Sequence, residues 1–299
     1  MLKTLIGALI LAFAAQAVRP PQSVIDELLS ADRRFAAEAG KTTVIPALSA
    51  MFADDVVMPI GTPKPGFAKG KPQAIEALKV NPDNAQGRLE WMPVRAGVSA
   101  DGLHGFTAGY MTLTRPDQTK VSVKYLAYWI RKPEGWRIAV YKRAIADQSP
   151  GKVEAVSTVL AKQGVTPIND GSQIARHKAA LEAAEKAFSD EAQKIGLGPA
   201  FAKHGHAEAI NLGPRNKPLF TVSAAEIGKM IGADSPSNNS PVSWAADEGS
   251  IVSSSGDIGV TFGFIRQNKL EPGSPAGGVP FITVWFRSSP NEPWRYIAE

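Results

Sequence analysis

Three places in this 299-residue chain hold side chains whose types and spacing could do chemistry. Asp54-Asp55 stands between a helical pattern and an apolar strand pattern. A carboxylate buried there, Asp55 in particular, would have the raised pKa of a general base working next to a carbonyl. An Asp pair at such a junction equally suits turn and capping hydrogen bonds. His204-Gly205-His206 with Glu208 has a spacing that could ligate zinc in an extended segment, but it straddles a helix end and no third ligand group follows. The expectation is therefore no metal. His104 stands alone beside a turn and is expected to be exposed. Without cysteine, thiol nucleophiles and disulfides are excluded. No Gly-x-Ser-x-Gly, dinucleotide-binding or phosphate-loop pattern occurs, so no cofactor is expected.

The elements that must position these residues occur twice. Ala31–Ala39 (ADRRFAAEA) returns as Ala184–Ala192 (AEKAFSDEA), and Ser99–Tyr110 (SADGLHGFTAGY) as Ser253–Phe264 (SSSGDIGVTFGF). Tyr125–Lys132 (YLAYWIRK) returns as Phe281–Ser288 (FITVWFRS), and Trp136-Arg137 as Trp294-Arg295. Matches in one order at so long a period indicate two copies of a domain. Each copy reads as helices first and strands after: helical spacing over Ser23–Ala39 and Ser172–Lys194, then strand patterns separated by turns such as Asp101-Gly102. This order gives an α+β fold with helices on one face of an antiparallel sheet. The expected division is 1–17 leader, 18–145 first domain, 146–171 linker with a short helix over Lys152–Lys162, and 172–299 second domain.

The leader is an expectation of export. Lys3, the apolar run Leu5–Phe13 and the small-x-small site Ala15-Gln16-Ala17 have the order of a cleaved signal peptide. The run is too short for a mature membrane span, and no other stretch reads as one. An exported chain would be periplasmic in a diderm bacterium and otherwise secreted. Residues 18–150 carry 18 basic and 13 acidic side chains, residues 151–299 carry 14 and 15. The positive charges are scattered, so no nucleic-acid partner is expected.

A Gly-x-Thr-x-Gly strand (Gly105–Gly109; Gly259–Gly263) precedes an aromatic-x-x-x-Trp-x-Arg strand in both copies, and a Trp-containing strand follows. On these residues the chain resembles the SnoaL-like branch of the nuclear transport factor 2-like superfamily, in particular its exported members labelled domain of unknown function 4440. The resemblance implies a cone, a curved antiparallel sheet wrapped around helices with a pocket at the open end. It also implies a catalytic carboxylate near Asp55 in the isomerase-type members, and sheets that pair back to back.

Strand alternation sorts the third shared strand into two faces. Tyr125/Phe281, Ala127/Thr283, Trp129/Trp285 and Arg131/Arg287 share one; Leu126/Ile282, Tyr128/Val284 and Ile130/Phe286 share the other. The second set is more apolar and is expected to face the helices. Trp129 and Trp285 would then lie on the outer face, at a copy–copy interface. Trp91, Tyr110, Tyr128, Trp244 and Phe264 are the expected pocket or core aromatics. The leading reading is non-catalytic binding of a small, largely apolar ligand in the cones. The alternatives are an isomerase- or cyclase-type enzyme using Asp55, and a structural pseudo-dimer that self-associates or binds a protein partner.

Overall fold

The computed structural model describes residues 18–61, 64–149, 156–214, 216–217, 219–270 and 277–299. The expected leader lies outside them. Pro21 opens α1 (Pro21–Ala39), where its missing N–H costs nothing, and α2 (Val44–Met51) follows. Then come β1 (Phe52–Ile60), β2 (Gly66–Lys69), α3 (Lys71–Lys79) and the single turn α4 (Asp83–Gln86). Four long strands finish the copy: β3 (Arg88–Val98), β4 (His104–Thr114), β5 (Lys120–Lys132) and β6 (Gly135–Ala146). A short strand, β7 (Ser157–Leu160), completes a sheet of order β2-β1-β6-β5-β4-β3-β7.

The second copy repeats the order. Its elements are α5 (Gly171–Ile195), α6 (Leu197–His204), β8 (Gly205–Asn211), β9 (Thr221–Val222) and α7 (Ala224–Asp234), then β10 (Val242–Val252), β11 (Ile258–Gln267), β12 (Val279–Phe286) and β13 (Arg295–Ala298). The Asp170 side chain caps α5 by accepting from the Ser172 and Gln173 amides. The second sheet runs β10-β11-β12-β13-β8-β9. The architecture is α+β, two tandem cones.

The linker differs from expectation. Its described residues Ser157–Leu160 form β7, parallel to Arg95–Val98 of β3, and not part of a helix. A free sheet edge beside β3 outweighs the weak helical pattern.

Each cone has its own core, in which α1 or α5 lies against the concave face of its sheet. A third core joins Phe106, Leu126, Tyr128 and Val140 of the first sheet to Val260, Phe262, Ile282 and Val284 of the second. The two sheets thus pack face to face in one chain. The side-chain parity of β5 and β12 is the reverse of the expectation: Trp129 and Trp285 lie inside the cones, and the Leu126/Ile282 set forms the interface. The more apolar face meets the other sheet because the cone interior holds a buried carboxyl group that needs polar partners.

Candidate functional site

That carboxyl group is Asp32 on α1 and, 153 residues later, Glu185 on α5, both essentially inaccessible to solvent. Asp32 Oδ1 accepts from Trp91 Nε1 at 2.6 Å and Oδ2 from the Tyr125 hydroxyl at 3.1 Å. Trp129 Nε1 donates to Thr107 Oγ1 at 2.9 Å beside them. In the second cone Glu185 Oε1 accepts from Trp244 Nε1 at 2.6 Å. Its Oε2 accepts from Trp285 Nε1 at 3.0 Å and from the Thr261 hydroxyl at 2.5 Å. Burial pushes both carboxyls above their ordinary range, and the donors around them oppose that rise.

The Gly-x-Thr-x-Gly strand now has a physical reason. Its Thr serves the carboxyl. A Cβ on Gly105 would stand 2.7 Å from Leu28 Cδ2 of α1, and one on Gly259 2.5 Å from Leu181 Cδ2 of α5, so glycine lets the helix sit close enough to deliver the acid. The hub was within reach of sequence reading. Asp32 and Glu185 occupy the same position of the first repeated segment, among residues otherwise spaced for burial.

Both cones are hollow at their open ends. The first holds a cavity of about 480 Å³ against Met58, Leu78, Leu113, Tyr141 and Arg143. The second holds one of about 370 Å³, walled by Phe188, Phe201, Trp244 and Phe281. Its polar end is made by Asn211 and Glu299, with Lys142 reaching in from β6 of the first copy. Asn211 Nδ2 donates to Glu299 Oε1 at 2.6 Å, and burial pushes the Glu299 carboxyl up to about 7.

Of the aromatics expected in the pocket or core, Trp244 lines this cavity and Trp91 bonds Asp32. Tyr128 lies in the core between the sheets. Tyr110 packs on Phe220 of the other copy at 4.9 Å, and Phe264 meets Phe67 edge-on at 5.4 Å. Those three therefore serve the interface and not the cones, by the same reversal of parity.

Asp55 is not the buried base a proton abstraction needs. It lies in β1 and is exposed, as is Asp54. Between Phe52 and Val57 the pairing of β1 with β6 slips through an irregularity, which turns both carboxylates outward. Its counterpart Glu208 sits in the matching irregularity of β8 and accepts from Arg95 at 3.0 Å across the interface.

The histidines do not form a cluster. The His204 ring stacks on Phe188 with 5.1 Å between centroids, whereas the His206 ring meets Phe286 edge-on and its Nδ1 accepts from the Glu208 amide at 3.1 Å. His104 is half-buried, not exposed: its Nδ1 lies 3.0 Å from the Tyr128 hydroxyl, and burial lowers its pKa. The Ser253–Asp257 turn clasps the Ser99–Gly102 turn, with Asp257 Oδ2 accepting from the Ala100 amide and Asp101 Oδ2 from the Ser254 hydroxyl, each at 2.8 Å.

No protein-family model and no curated protein matches the chain. Among solved structures, an NTF2-like protein with a cystatin-like fold from Novosphingobium aromaticivorans matches at 19% identity and a TM-score of 0.32, over 43% of this chain and 86% of that one. A ketosteroid isomerase-like protein from Erwinia carotovora matches at 20% identity and a TM-score of 0.28, over 43% and 95%. The tandem α+β architecture stands on the strand order and packing described above.

Proposed function

We propose that the chain is a binding protein that holds a small, largely apolar ligand, without catalysis, in the cavity of the second cone. The observation that carries this reading is a hollow of about 370 Å³ walled by four aromatic rings with polar groups gathered at one end. That distribution is what ligand pockets of this size usually show. The buried hub supports a non-catalytic role: Glu185 has its oxygens occupied by three donors and is not part of the cavity wall. The faces that superfamily members pair with other chains are consumed here within the chain, so a protein partner would have to use another surface. We also propose export with removal of Met1–Ala17; intact-mass measurement of protein recovered from its native host should find a chain beginning at Val18, and one retaining Met1 would refute it.

The binding reading is tested with the neutral fluorescent probe N-phenyl-1-naphthylamine. The full chain should bind it saturably, and Ile231→Trp, which fills the cavity from α7, should abolish that binding while leaving the chain folded. No saturable binding by the wild type, or equal binding by Ile231→Trp, would overturn it.

A further inference from the structure

The cavity of the first cone differs in kind from that of the second. Its walls are aliphatic, with Met58 and Ile60 from β1, Leu78 from α3, Leu113 from β4, and Val121 and Val123 from β5. Alternation along β6 brings Tyr141 and Arg143 to this hollow, whereas Lys142 and Ala144 line the cavity of the second cone instead.

Two donors in the wall lack a matching acceptor. Tyr141 is 1% exposed, and the one polar contact of its hydroxyl is the Met111 sulfur at 3.9 Å, a weak acceptor. Burial raises its pKa, so the hydroxyl keeps a proton to donate. Arg143 is half-buried, and its guanidinium forms no ion pair among the described residues. Its one side-chain hydrogen bond is long, 3.5 Å to Asn84 Oδ1, while Asn84 Nδ2 is used on the Leu78 carbonyl at 2.6 Å. The other charged groups of the wall do not answer Arg143. Asp83 is taken by Arg115 at 2.8 Å, and Lys64 is a further cation, exposed to solvent. The wall thus carries three cations and one carboxylate, and that carboxylate is already paired.

We propose that the first cone is a second binding site, separate from the hollow of the other cone, for an aliphatic monocarboxylate whose oxygens take the Arg143 guanidinium and the Tyr141 hydroxyl. Two residues apart on one strand face, about 7 Å, the two side chains can converge on one group. A guanidinium fits the edge of a carboxylate with parallel N–H donors, and one unpaired guanidinium balances one negative charge. A phosphate monoester would bring more charge than that single group balances. The hydrocarbon chain lies against the aliphatic wall, as the apolar part of a ligand does in pockets of this size. The two cones then hold ligands of different classes, an apolar body among aromatic rings in one and an aliphatic acid in the other.

The test is calorimetric titration of the full chain with octanoate, octanamide and octyl phosphate. Octanoate should bind about tenfold more tightly than octanamide, the scale of a charge-assisted pair, and more tightly than octyl phosphate. Arg143→Met should bring octanoate to the level of octanamide. Tyr141→Phe, which removes only the oxygen, should weaken octanoate by about threefold or more. Both variants should melt cooperatively; if Arg143→Met does not fold, Tyr141→Phe decides alone. Ile231→Trp, which fills the second cavity, should bind octanoate as the wild type does. Octanoate binding no tighter than octanamide, tighter binding of octyl phosphate, an octanoate affinity that either folded variant leaves unchanged, or one that Ile231→Trp abolishes overturns the proposal. None of these outcomes touches probe binding in the second cone, so the two readings fail separately.

Discussion

At the scale of single residues, the two copies solve one problem with two matched pairs. The shorter acid, Asp32, is met by the hydroxyl of Tyr125; the longer acid, Glu185, reaches Trp285 directly, and Phe281 stands where the tyrosine would be. Acid length and hydroxyl are therefore coupled. Asp32→Glu should crowd Tyr125, Tyr125→Phe should leave Asp32 short of a donor, and the double variant should be less destabilised than the sum of the two. A coupling of about 1 kcal/mol or more in denaturant unfolding is expected for residues in contact; additive effects would separate the pair. The hub also sets a pH dependence. An acid whose folded pKa is raised binds its proton more tightly when folded, so its contribution favours folding most below its ordinary value of 4.5 and is lost as pH rises through the raised one. Melting temperature should thus fall more steeply with rising pH above about 4.5 in the wild type than in Glu185→Gln, where that group no longer titrates; parallel slopes would contradict it. Asp55 belongs to the opposite case. Exposed in an irregular strand start, its replacement by Asn should change stability by less than about 0.5 kcal/mol, which thermal melts would check.

At the scale of elements, helix order, strand order and the repeat are legible from apolar spacing and turn residues, because those patterns report local geometry. The faces of β5 and β12 are not, because polarity is a guide to the solvent side only where the interior is apolar. Here the interior holds Thr107, Thr261 and the indole N–H groups that serve Asp32 and Glu185, whereas the convex face meets another sheet. The wall of the second cavity was illegible for a different reason: Lys142 and Ala144 belong to the first copy and line the hollow of the second, and no motif within a copy marks them. The second glycine of the repeated strand is an element-scale device as well. A Cβ on Gly263 would stand 2.0 Å from the Ala245 carbonyl oxygen, where the pairing of β10 with β11 slips. Gly263→Ala should consequently cost more than about 2 kcal/mol, as forced overpacking against backbone does, whereas Gly66→Ala, with nothing within 4 Å of the added methyl, should be near neutral. Similar losses in the two variants would remove the close approach as the reason for the glycine.

At the scale of the whole molecule, the charge asymmetry of the sequence acquires a location. Lys69 of the first copy pairs with Glu248 of the second at 2.8 Å, and the buried guanidinium of Arg95 with Glu208 at 3.0 Å. In both pairs the first copy supplies the cation and the second the anion, at the edges of an apolar core that neither copy can bury alone. The turns clasped through Asp101 and Asp257 close a further side of the same contact. A fragment of the first copy must keep β7, since Ser157–Leu160 cover the edge of β3; residues 18–166 meet that requirement. Such a fragment retains its cone core, so it should fold, but Phe106, Leu126, Tyr128 and Val140 would be left facing water. Contiguous apolar surface of that extent is seldom left solvated, so the fragment should associate with itself through that face. Sedimentation across a range of concentrations should show dimers or larger species, and Phe106→Glu should return the fragment to a monomer. A fragment that stays monomeric with Phe106 in place would mean that the two cones are independent bodies and that the cavity lined by residues of both copies is held together by something other than this core.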